Sequence, residues 1–84
     1  MSDYYLFTFE STHAAISTHK HLSGTIKAVI MPVLRQISAS CGIAVRVDPA
    51  DLDAALSLLS IWPAGTKLYH IEGETATLLD LSHA

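Results

Sequence analysis

The chain has one cysteine, Cys41, within the stretch "PVLRQISASCGIAV", with Arg35 six residues before it and Ser38, Ser40 and Gly42 around it. A thiol reacts as its thiolate, and an ordinary cysteine with pKa ~8.5 is mostly protonated at neutral pH. A guanidinium near sulfur, or backbone N–H groups converging on it, favours the anion. Cys41 is therefore the candidate nucleophile, and Arg35 the candidate thiolate stabiliser. The hydroxyls of Ser38 and Ser40 can donate to sulfur, and Gly42 permits a tight backbone path beside it. Such small neighbours suit a thiol that another protein must reach. The competing reading is packing, because cysteine is among the most buried residue types. A polar setting, a nearby cation and a long connector favour chemistry over packing.

The other groups that could do chemistry are better accounted for by structure. His13, His19 and His21 are spaced six and two residues apart, which does not converge on one helical face as an i, i+4 ligand pair would. No metal site and no cofactor are expected. His70 reaches Cys41 only if the tertiary fold brings it there, so an enzyme using a Cys–His pair is the weakest of the readings. Asp48, Asp51 and Asp53 resemble an acidic cluster, and helix capping and the helix dipole account for the first two. Trp62, before Pro63, suits a lid over the core at a helix end.

Composition bounds the function classes. Half of the 84 residues are hydrophobic, 15% are charged, and the formal net charge is −3, with only five lysines and arginines. One compact domain over residues 1–84 follows, and nucleic-acid binding, which needs a basic face, is disfavoured. A lone cysteine leaves no disulfide framework and no CxxC pair, and an unpaired thiol suits a reducing compartment such as the cytoplasm. The first ten residues include Asp3 and Glu10 and no basic n-region, so no signal peptide is expected. Apolar runs fall well short of the ~20 residues that span a bilayer.

The elements that must position Cys41 follow from periodicity. "YYLFTF" is apolar on both faces, as a central strand is. Ser11 or Thr12 caps a helix presenting Ala15, Ile16, His19 and Leu22, with Gly24 as its stop. "TIKAVIMPV" alternates, and Lys27 and Pro32 mark it as an edge strand. "IAVRVD" is the third strand. Asp48 caps a second helix with Pro49 at its first position and Leu52, Ala55, Leu56 and Leu59 as its buried stripe. "KLYHIE" is the fourth strand, and residues 73–84 are either a short extra strand or a loose tail. The order βαββαβ predicts an α+β, ferredoxin-like domain: a four-stranded antiparallel sheet with two helices on one face. Its hairpin between the second and third strands needs ~2–5 residues, yet Leu34 to Gly42 is nearly twice that. Long ordered loops carry function.

The same stretch resembles the selenium/sulfur carrier-like family, whose pattern is Pro-Val-Pro-Arg, a polar or acidic residue, Ile-Ser-Ser-Ser-Cys-Gly and an apolar strand. This chain reads Pro32-Val33-Leu34-Arg35-Gln36-Ile37-Ser38-Ala39-Ser40-Cys41-Gly42-Ile43-Ala44. "YYLFTFESTHAAI" and "VRVDPADLDAAL" also look like the family, so the resemblance spans residues 4 to 72. Leu34, Gln36 and Ala39 depart from the pattern, and none of them is the thiol. The resemblance implies a non-enzymatic carrier holding sulfur or selenium on Cys41 as a persulfide or selenosulfide. Its partners would be a donor, such as a cysteine desulfurase, and an acceptor enzyme. The runner-up is a small regulatory or interaction module, a homodimer through its sheet, with Cys41 structural. A thiol-dependent enzyme ranks third.

Overall fold

In the computed structural model the described residues are 3–37, 39, 41–59 and 61–81. They form β1 (Tyr4–Thr8), α1 (Thr12–Ser23), β2 (Ala28–Pro32), β3 (Ile43–Val47), a 3₁₀ turn (Pro49–Asp51), α2 (Leu52–Leu58), β4 (Lys67–Glu72) and β5 (Thr75–Leu79). The strands make one antiparallel sheet in the order β2-β3-β1-β4-β5. The architecture is α+β as expected, but the sheet has five strands rather than four. The extra strand comes from the tail. Glu72 pairs with Thr75 across Gly73 and Glu74, and Gly73 alone in this turn has positive φ (61°). A two-residue hairpin with positive φ at its first central position is a type II′ turn, which follows the native twist of a strand pair.

Strand alternation sends Tyr5, Phe7, Val45, Val47 and Leu68 to one face, where Ala15 and Leu22 of α1 and Ala55 of α2 close the main core. Ser11 caps α1 by accepting from Ala14 N–H (3.1 Å), and Gly24 ends it with φ −72°, so that position uses no left-handed backbone. The buried stripe of α1 is Ala15, Thr18 and Leu22. Ile16, expected inside, is 40% exposed. The helix is rotated so that the His19 ring meets β2, its Nε2–H donating to the Ala28 carbonyl (2.9 Å). His21 similarly reaches the Leu58 carbonyl (3.0 Å), tying α1 to the end of α2.

The second helix is shorter than its stripe suggests. It starts as a 3₁₀ turn after Asp48, whose side chain makes no cap bond. Only Ala55 is fully buried, while Leu52, Leu56 and Leu59, expected inside, are half-buried. The reason is competition for the sheet face: Trp62 stacks on Phe7 with ring centroids 4.6 Å apart and an interplanar angle of 13°. The lid expected of Trp62 covers area that a longer helix would otherwise take. No helix among the described residues is long and apolar enough to cross a membrane.

Candidate functional site

The connector between β2 and β3 explains its length by what it covers. The sheet face away from the helices is also apolar, with Leu6, Ala44 and Ile71 at its centre. After Pro32, Val33 N–H donates to the Gly42 carbonyl (3.1 Å), which adds one rung to the β2–β3 ladder. The chain then leaves the ladder and turns, with Ile37 N–H donating to the Leu34 carbonyl (3.0 Å). This turn drops Ile37 onto Leu6, Ala44 and Ile71, leaving it 6% exposed. Gln36 Nε2 donates to the Glu74 carbonyl in the β4–β5 turn (3.0 Å), so the segment reaches across to the far hairpin. Residues 33–37 act as a strap over the second sheet face.

The chain returns to the helical side at Cys41. Its N–H donates to the Phe9 carbonyl (3.3 Å), and its side chain joins the main core with Phe9 and Ala15. Cys41 Sγ lies 3.6 Å from Thr12 Oγ1 and 3.5 Å from the Ile43 N–H, which donates to it. Thr12 is the first residue of α1, so sulfur sits beside a helix N-terminus, where unpaired N–H groups and the positive end of the dipole gather.

Two expectations need correction. Cys41, expected to be open to solvent, is 4% exposed. The polar residues around it in sequence do not determine its exposure, because the strap carries it back against β1 and α1. Gly42 was expected to supply a tight backbone path, yet its φ is not positive, and a Cβ there would meet nothing within 4 Å. Arg35 is exposed and lines a shallow hollow with Gln36 and Glu74, whereas the groups bonded to sulfur come from Thr12 and Ile43. Ser38 and Ser40 lie outside the described residues. His70 pairs with Asp3 (Nε2 to Oδ2, 2.8 Å) and stacks obliquely on Tyr5. That bond to His70 is the main cause holding the Asp3 carboxyl below the ordinary aspartate value.

Sequence reasoning missed Thr12 as a neighbour of the thiol, and nothing local links two positions 29 residues apart. It also missed Ile37, although a large β-branched residue between Gln36 and Ser38 signals an anchor. Comparison with known proteins gives one positive result. No curated protein and no solved structure matches the chain. A family model does match, over residues 4–61, which take in β1 through α2 together with the strap and Cys41 and stop short of the expected 72. With well over half of its length matched, the chain belongs to the family described as "Putative Se/S carrier protein-like".

Proposed function

We propose that this protein carries sulfur or selenium as a persulfide or selenosulfide on Cys41. The observation that supports this most is the setting of the sulfur, between the Ile43 N–H and the Thr12 hydroxyl at the N-terminus of α1. The Ile43 N–H donates to the sulfur and the Thr12 hydroxyl is free to donate to it once it is a thiolate, a setting that suits a group bearing negative charge when it attacks. In the loading step the Cys41 thiolate attacks the outer sulfur of a donor persulfide. A new S–S bond forms on Cys41, the donor's S–S bond breaks, and the donor leaves as a thiol with the proton that Cys41 gave up. Unloading is the same exchange, with an acceptor thiolate attacking the outer sulfur. A single cysteine fits both steps, because a second thiol alongside would discharge the cargo as a disulfide. The donor is a protein such as a cysteine desulfurase and the acceptor an enzyme, both in a reducing compartment such as the cytoplasm.

Burial gives the proposal a gate. At 4% exposure the sulfur cannot meet a donor until the segment around it opens. Local opening of such segments costs far less than global unfolding. In the opened form Arg35, exposed and on the same connector, presents a cation to the incoming anionic sulfur. The same burial also favours the rival reading, an interaction module in which Cys41 only packs. Alkylation of the native protein separates the two. A carrier is expected to be modified stoichiometrically, at a rate well above global unfolding and without denaturant. Modification no faster than global unfolding would assign Cys41 to packing.

A further inference from the structure

The open edge of β2 carries a donor and acceptor pattern that a second copy of the chain matches. Val33 N–H bonds directly to the opposite residue, Gly42. In an antiparallel ladder such pairs alternate with non-bonded ones. Continuing that alternation along the β2–β3 pairing, Met31–Ala44 and Val29–Arg46 are bonded pairs. The backbone groups of Ala28, Ile30 and Pro32 therefore point away from β3, toward the open edge. Two independent facts agree. Proline, which has no N–H, stands at one of these outward positions, and the Ala28 carbonyl is met there by His19.

We infer that two copies pair antiparallel through β2 about a two-fold axis at Ile30. In that register Ile30 faces Ile30 of the second copy and exchanges both of its backbone hydrogen bonds with it. Ala28 faces Pro32 of the second copy, so the Ala28 N–H finds the proline carbonyl. The Ala28 carbonyl would find no donor there, because proline lacks the N–H. It is the one acceptor that this pairing leaves unmet, and it is the one that His19 already satisfies within its own chain.

Side chains fit the same pairing. Val29 and Ile30 are 43% and 39% exposed, and Ile16, one helical turn from His19 on α1, is 40% exposed. Val29 would face Met31 of the second copy, an apolar pair on the strap side of the sheet. Lys27 would face Val33, so no like charges meet across the axis. Lys27 and Pro32 protect the two ends of β2, and between them the β-branched Val29 and Ile30 stay open. The strap follows directly from β2, so each copy's strap would begin at the interface. Four backbone hydrogen bonds and a few side chains make a modest contact, which calls for a concentration-dependent dimer rather than an obligate one.

Sedimentation equilibrium of the full chain under reducing conditions tests this. Wild type is expected to show a reversible monomer–dimer equilibrium. Ile30→Lys, which sets two ammonium groups opposite each other and removes two apolar contacts, should raise the dissociation constant at least ~100-fold. Val29→Lys, on the other face of the same strand, should also weaken the dimer and covers the case in which the first variant does not fold. Leu78→Lys, on the opposite edge strand, should leave it unchanged. A wild type that stays monomeric at millimolar concentration would overturn the inference and make the edge a blunted one. Dissociation by Leu78→Lys but by neither β2 variant would overturn it in favour of the β5 edge.

Discussion

Truncating the strap's anchor should expose the thiol by a calculable factor. Ile37 is 6% exposed against Leu6, Ala44 and Ile71. Ile37→Ala removes three carbons from that contact, and at ~0.8 kcal/mol per buried methylene the loss is ~2.4 kcal/mol. The residual cavity adds little, because the strap lies at the surface and can settle into it. A domain of this size has ~4–12 kcal/mol of stability, so the variant should still fold. If the strap must lift before reagent reaches Cys41, the labelling rate is the opening equilibrium multiplied by the rate for a free thiol. The lost ~2.4 kcal/mol then falls on that opening, and labelling should accelerate ~50-fold. The assay pairs a urea melt with iodoacetamide labelling in native buffer, both followed by intact mass. A melt that shifts as calculated with no change in labelling would refute the gate, since Cys41 would then open independently of Ile37.

Three further predictions test local readings. Gly42→Ala should keep or raise stability, by up to ~1 kcal/mol in a urea melt, because its backbone is ordinary, a methyl has room, and the unfolded chain loses freedom. Gly73→Ala should instead cost ~1 kcal/mol by the same measurement, since φ +61° is strained for a residue with a Cβ. The bond to His70 lowers the Asp3 carboxyl in the native state. Its contribution is thus present above the ordinary aspartate value and is lost as pH falls through the lowered native value. Melting temperatures of wild type and Asp3→Asn should differ near neutral pH and converge in acid, and a constant gap across that range would remove the pair from the acid response.

Much of this fold was legible because local and global signals agree. Ser11 caps α1, Lys27 and Pro32 mark β2 as an edge, and Trp62 covers the core at the end of α2. Misreadings arose where burial depends on what else competes for a face. Leu56 looks like core by its spacing, but a seven-residue helix sharing its sheet face with Trp62 cannot bury it. Ile16 and Thr18 exchange places because the His19 bond to β2 sets the helix rotation. The strap's task was implicit in "YYLFTF", since a strand apolar on both faces needs a cover on each. Ile37 supplies the second cover, a long-range pairing that no local period encodes. For the same reason the polar neighbours of Cys41 in sequence gave the wrong exposure. Its spatial neighbours, Phe9 and Thr12, flank the β1–α1 connection some thirty residues earlier in the chain.

Whether Cys41 accepts and holds a chalcogen atom is decided by intact-mass spectrometry after incubation with a persulfide-loaded cysteine desulfurase. A carrier should gain one sulfur per chain, mapped to the Cys41 peptide, removed by a thiol reductant and absent in Cys41→Ser. An unmodified mass, from a native protein whose Cys41 alkylates readily in the same buffer, would contradict it.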